Sequence, residues 1–337
     1  MIIKENNRYL NLATELNSNN SEKTMEKIAI VTGASRGLGK GIALALAKEA
    51  GYIVYATARN ESALEILAKE ASSGSRNGKV IPSVLDQNDD NAVESFVSNT
   101  LSNHKTINLL VNSAYGGLIE MTPHFGKPFW DRPISVYDQA LNIGVRSAYV
   151  MSKFVAPIMV ENQSGLIIQT TSTGGFHYVF DVAYGVGHAA MDRLTSDMAL
   201  ELETYNVQSI TLSPVGGCQT EIVSFPDGES TNYVGRAVIA LADNASQEDL
   251  VKMNGKVIFT AELAEKYKFF EDNDKNGEIN QNRLNASIGN RKIMSEPIFH
   301  YQTKKTLSQY NSETLPFKLS ESNSIEWADF FPGAKSK

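Results

Sequence analysis

Eight residues constrain this chain more than any others: Thr32-Gly33-Ala34-Ser35-Arg36-Gly37-Leu38-Gly39. The apolar run Ile28-Ala29-Ile30-Val31 before them reads as a buried parallel strand. Lys40 to Glu49 after them carries Ile42, Leu44, Ala45, Leu46 and Ala47 as the apolar face of a helix. Glycines between a strand and a helix let the backbone turn tightly and approach an anion resting on the helix N-terminus. The spacing here is Gly-x-x-x-Gly-x-Gly, and tight turns also use glycine for purely steric reasons. Set between this strand and this helix, the turn reads as the diphosphate corner of a dinucleotide site, with Gly33, Ser35, Arg36, Gly37, Leu38 and Gly39 around the phosphates.

The alternation continues along the chain. Strands are predicted at Tyr52–Thr57, Val80–Leu85, Ile107–Val111, Gly165–Gln169, Val207–Leu212 and Gly255–Phe259. Helices are predicted at about Ser62–Ala71, Ala92–Leu101, Val136–Met159 and Tyr184–Tyr205. This pitch implies an α/β fold, a Rossmann-like doubly wound parallel sheet in one domain over residues 25–264. Residues 116–135 break the pattern with Pro123, Phe125, Pro128, Phe129, Trp130 and Pro133, and read as a long loop or lid. Its aromatics either shape an apolar pocket or pin the loop down, and the neighbouring prolines favour pinning. Residues 1–24 read as a disordered leader. Residues 265–337 read as a polar, partly irregular C-terminal extension with little helix or strand signal from 271 onward.

Composition excludes several classes. A formal charge of −7 gives no reason to expect nucleic acid or an anionic membrane as partner. The single cysteine, Cys218, excludes an internal disulfide framework and suits a reducing compartment. No uninterrupted apolar run approaches the roughly 18 residues of a membrane span, so a soluble, cytoplasmic protein is expected. Asp272-Asn273-Asp274-Lys275-Asn276-Gly277 has the front half of a calcium loop, but Arg283 stands twelfth, where a bidentate Glu is needed; an acidic turn is the better reading. His177 could line a pocket or simply pack in its loop.

Candidate chemistry gathers where the strands end. A carboxylate after the second strand would hold a free ribose 2′-hydroxyl. This strand instead leads to Ala58-Arg59, and Arg59 together with Arg36 would face a 2′-phosphate, which favours NADP(H) over NAD(H). Asp86, Asn112 and Ala114 end the third and fourth strands and could border the adenosine, although Asp and Asn also serve as plain turn residues. Tyr184 opens a helix just after the Thr170-Thr171-Ser172-Thr173 strand end. A phenol there can protonate a carbonyl whose oxygen a neighbouring hydroxyl holds.

Over residues 26–260 these pieces resemble the short-chain dehydrogenase/reductases. The resemblance rests on Thr32–Gly39, Asn112-Ser-Ala-Tyr115, Asn142, the 171–173 cluster, Tyr184, and Pro214 and Gly216 with Thr220 beyond. Asn112-Ser-Ala-Tyr-Gly-Gly117, Lys127-Pro-Phe-Trp-Asp-Arg-Pro133, Tyr184-Gly-Val-Gly187 and Gly255-Lys-Val257 leading to Ala261-Glu-Leu-Ala264 are similar to a narrower group, the dehydrogenase/reductase family member 1 type. The resemblance implies an Asn, Ser, Tyr, Lys tetrad filled by Asn142, Ser172 or Thr171, and Tyr184, with Pro214, Gly216 and Thr220 in a loop over the nicotinamide. It also favours a homo-oligomer and a small carbonyl or alcohol substrate. Position 188, where the lysine is expected, is His188. An ordinary histidine is mostly neutral at pH 7, so His188 is expected to donate one hydrogen bond to a ribose hydroxyl and to help electrostatically mainly in mild acid. Three readings follow: a carbonyl reductase or alcohol dehydrogenase, a nucleotide-binding pseudoenzyme acting as sensor or assembly protein, and, disfavoured by the missing lysine, an enoyl reductase.

Overall fold

The computed structural model describes residues 26–294 apart from 75, 226 and 274–276; the expected leader at 1–24 and everything from 295 onward lie outside the described residues. Strand β1 (Ile28–Thr32) leads through the glycine turn into helix α1 (Gly37–Ala50), followed by β2 (Ile53–Ala58), α2 (Glu61–Ala71), β3 (Lys79–Val84), α3 (Asp90–Asn103) and β4 (Leu109–Asn112). Next come α4 (Gly117–Met121), α5 (Ile134–Ala140), a π-helical stretch (Leu141–Arg146), α6 (Ser147–Glu161), β5 (Gly165–Thr170), α7 (Val182–Leu202) and β6 (Val207–Ser213). The last described elements are the short β7 (Cys218–Gln219) and β8 (Glu229–Ser230), α8 (Thr231–Ile239), α9 (Gln247–Met253), β9 (Val257–Phe259), α10 (Thr260–Tyr267) and α11 (Gln281–Met294).

Seven strands form one sheet in the order β3-β2-β1-β4-β5-β6-β9, and every neighbouring pair is parallel. Successive residues of a strand face opposite sides. Accordingly Ala29 and Val31 pack with Ile42, Leu46 and Val234 on one face, and Ile28 and Ile30 with Val97, Met151 and Val155 on the other. Helices thus cover both faces, which is why the strands read as continuous apolar runs. The expected Rossmann-like doubly wound sheet is present.

Three regions differ from the sequence reading. Residues 116–135 contain α4 and two 3-10 turns, Thr122–His124 and Phe129–Asp131. This segment packs through Met121, Leu118 and Phe125 onto Val136, Ala140 and Ala183, because its apolar residues find a common core. Phe125 does pin it, with its ring 5.7 Å from Phe180. Phe129 and Trp130 do neither job proposed for them, being 61% and 72% exposed. Second, the extension beyond 265 begins as folded structure. Helix α11 buries Leu284, Ala286 and Ile293, two of them at helical spacing but with too few apolar neighbours for the pattern to stand out. Arg283 is buried against Glu271 at 2.7 Å, while Asp272 pairs with Arg236 at 2.7 Å. Third, the run 134–161 is, among the described residues, long and apolar enough to cross a membrane by length and composition alone. Half of its most apolar window is buried inside the fold, and Val150, Met151, Val155 and Met159 pack on the sheet.

Candidate active site

The order of the strands reverses between β1 and β4, and a cleft opens beyond their carboxyl ends, where open α/β sheets bind ligands. Its cavity of about 570 Å³ runs from the glycine turn past the ends of β2 and β3 to the start of α7. The glycine turn is built for close approach. Gly33 has φ +68°, and a Cβ there would lie 2.6 Å from Ala114 Cα. Thr32 Oγ1 accepts the amides of Ser113 and Ala114 at 3.0 and 3.1 Å, fastening the end of β1 to the end of β4. The amide of Ala34 bonds the Thr57 carbonyl at 3.0 Å. A glycine-rich backbone cradle at a helix N-terminus fits a diphosphate.

Gly33, Ser35, Arg36, Gly37, Leu38, Gly39, Arg59, Asp86, Ala114, Thr171, Ser172, Tyr184, His188, Pro214 and Thr220 all line this cleft. Three sequence candidates do not. Asn112 points to the opposite face of the sheet, where its amide donates to Ser152 Oγ at 3.1 Å; strand alternation puts it there, since Val111 takes the other face. Asn142 is exposed. Gln139 and Ala140 at the end of α5, and Ile143 and Gly144 in the π-helical stretch, turn toward the cleft and Asn142 turns away, with its carbonyl accepting the Ser147 amide. Gly216 is buried behind the wall that Gly217 and Cys218 form. His177 belongs elsewhere too, buried 3.4 Å from Asn290 of α11.

Tyr184 is set by its helix cap. Asp181 accepts the Tyr184 amide at 2.6 Å and is held in turn by Arg132 at 2.6 Å, an ion pair almost wholly buried. Arg132 lies in the proline-rich segment, so that segment orients the helix start carrying the phenol. Neither residue was singled out from sequence; an Asp just before a helix start is the signal that could have found it. Gly174 lets the phenol ring in, since a Cβ there would sit 2.4 Å from Tyr184 Cε1. The Ser172 hydroxyl accepts the Gly174 amide at 3.0 Å and faces the phenol. Burial pushes the Tyr184 phenol up to about 12, and the Ser172 hydroxyl opposes that shift.

His188 lies one turn further, its ring 4.1 Å from that of Tyr184 and 5.1 Å from that of Tyr115. Burial pushes its pKa down to about 4, so it is neutral even in mild acid. This overturns the expectation of electrostatic help there. Its Nδ1 lies 2.8 Å from the Tyr184 carbonyl. A carbonyl only accepts, so Nδ1 carries the proton and Nε2 is left as an acceptor. His188 can therefore receive a hydrogen bond from a ligand hydroxyl through Nε2, the opposite polarity to the donor role expected from sequence. One turn beyond, Asp192 is also mostly shielded; burial pushes its carboxyl up to about 7, opposed by the Thr171 hydroxyl.

The short chain dehydrogenase family matches residues 27–227. Dehydrogenase/reductase SDR family member 1 of Mus musculus and that of Homo sapiens are each 36% identical to the chain over 262 residues, covering 72% of it and 82% of the relative. Among solved structures, a metagenomic short-chain oxidoreductase in complex with NADP is 23% identical and superposes with a TM-score of 0.58 over 70% of this chain and 99% of its own. A 7α-hydroxysteroid dehydrogenase complexed with NADH gives 0.59 at 24% identity, over 70% and 93%. The chain belongs to the short-chain dehydrogenase/reductase family of oxidoreductases, which bind nicotinamide dinucleotides and act on small molecules. Within that family it is of the dehydrogenase/reductase SDR family member 1 type.

Proposed function

We propose that this protein is an NADP(H)-dependent oxidoreductase interconverting a carbonyl and an alcohol on a small, fairly apolar substrate. The observation carrying the reading is the phenol of Tyr184, set beside the Ser172 hydroxyl at one end of a cleft whose other end is the glycine cradle. The preference for NADP(H) is supported by Arg36 and Arg59, both exposed in the cleft wall and, among the described residues, without an ion-pair partner. The end of β2, Ala56-Thr57-Ala58-Arg59, carries no carboxylate to hold a free 2′-hydroxyl.

When bound, the nicotinamide supplies or accepts the hydride. The chain's own groups do the rest. Ser172 holds the substrate oxygen by donating its hydroxyl proton, and Thr171 stands next to it on the same wall. In reduction, Tyr184 gives its phenolic proton to that oxygen; in oxidation, the phenolate takes it back. A phenol held up near 12 keeps its proton at neutral pH, the form in which Tyr184 can donate to the substrate oxygen during reduction. Leu118, Ile143, Val179, Phe180, Met191 and Phe225 give the substrate end an apolar wall.

One observation supports a second reading. His188, held neutral by burial, brings no positive charge to the phenol near pH 7, so the chain could bind a dinucleotide without turning over, as a sensor or assembly protein. Calorimetric titration with NADPH and NADH, followed by a panel of aldehydes, ketones and quinones across pH 5.5–8, separates the two. Turnover that Tyr184→Phe abolishes supports the enzyme. Tight NADPH binding with no turnover on any carbonyl supports the sensor, and no binding of either coenzyme overturns both.

A further inference from the structure

The amide that opens α1 is already engaged. Gly37 N–H donates to Glu221 Oε2 at 2.8 Å, although the two residues lie 184 apart in sequence. Both line the cleft. The preceding residue, Arg36, gives α1 no side-chain cap, so this carboxylate is the group that satisfies one of the four free amides of the helix start. The helix dipole adds to the attraction. Glu221 is held in place by a closed turn: the Thr220 amide donates to the Val223 carbonyl at 2.7 Å, the Thr220 hydroxyl donates to the same carbonyl at 2.9 Å, and the Val223 amide donates to that hydroxyl at 3.0 Å. The Thr220 methyl lies over Gly37, 3.7 Å from where a Cβ would stand.

We infer that Glu221 sets the affinity for the dinucleotide by competing with its diphosphate for the Gly37 amide. The inference rests on the cofactor reading above. A phosphate oxygen and a carboxylate oxygen cannot both take this donor, and two anions at one helix N-terminus repel. Dinucleotide entry therefore requires the Glu221 carboxylate to leave, and the apparent affinity falls by the fraction of molecules in which it has left. Glu221 is in this sense an internal anion, stabilising the empty protein and weakening the loaded one.

The experiment is calorimetric titration of the full chain and of Glu221→Gln and Glu221→Ala with NADPH and, separately, with inorganic pyrophosphate, together with thermal melts lacking ligand. Releasing a charge-assisted hydrogen bond to a backbone amide should tighten NADPH binding by about tenfold in Glu221→Ala and somewhat less in Glu221→Gln. The ligand-free melting temperature should fall in the same variants. These opposite signs distinguish competition from a merely structural role, which would weaken both quantities together. Unchanged or weaker NADPH binding in both variants, with the wild type binding normally, overturns the inference and leaves the cofactor reading intact. If neither wild type nor variants bind NADPH or NADH, the cofactor reading falls and takes this inference with it.

Discussion

The two ends of the cleft are built from different materials. At the diphosphate end the site is mostly backbone: a glycine-rich turn, tied by Thr32 to β4 and by Ala34 to β2, with its cations out in solvent. At the substrate end the site is side chain: a phenol, an imidazole and a carboxyl on one face of α7, each shifted by burial away from its ordinary ionisation. On the proposed reading, recognition of a 2′-phosphate falls to groups that any salt can screen, and proton transfer to groups that water hardly reaches. Substitutions at the two ends should separate binding from chemistry.

The sharpest separation is Tyr184→Phe. Loss of the proton donor should lower kcat by about 10²- to 10⁴-fold, while the NADPH affinity measured by calorimetry stays within a factor of two or so, since the cradle is untouched. A large loss of affinity would mean that the two ends are not independent. The mirror experiment is Arg36→Ala with Arg59→Ala. Removing both guanidinium groups should weaken NADPH binding by about 10- to 100-fold and leave NADH unaffected. Equal losses for both coenzymes would remove the support for NADP(H).

This difference in material also decides what could be read from sequence. The glycine turn was legible because a strand, a turn and a helix in succession fix the backbone, and the backbone is the site. Tyr184, Ser172 and Thr171 were legible because a strand end and a helix start place them at one edge. Asn112 and Asn142 were misplaced because their orientation depends on a single residue of register: alternation in β4 turns the first away, and the π-helical stretch turns the second out. The polarity of His188 was hidden because it follows from a hydrogen bond to the carbonyl of Tyr184, not from residue type. Glu221 was missed because nothing in its neighbourhood in sequence points to Gly37, and α11 because its apolar residues are few among polar ones.

His188→Lys probes the missing charge. An ammonium one turn from Tyr184 should bring the phenol down from about 12 by about one unit. Alcohol oxidation at pH 7.5 should rise by about tenfold, and the limb of its pH profile along which activity climbs with pH should move to lower pH by about one unit. A fall in activity at every pH would mean that the acceptor at Nε2 has a function that a cation cannot replace.

The smallest expected effect belongs to Asp192→Asn, and it tests whether the substrate end is as water-poor as the shifts imply. In the unfolded chain this carboxyl titrates near 3.8, and in the folded protein burial holds it up to about 7. A raised folded pKa means that the native state binds the proton more tightly than the unfolded state. The stabilisation is therefore complete below about pH 3.8 and is lost as pH rises to about 7. Asparagine has no proton to lose, so the variant should not show this loss. Melting temperatures across pH 4–8 should find the variant gaining on the wild type as pH rises, with a relative gain of about 2–4 °C by pH 8. A difference between the two proteins that stays flat over this range would mean that water reaches Asp192, and that its Thr171 contact alone governs the carboxyl.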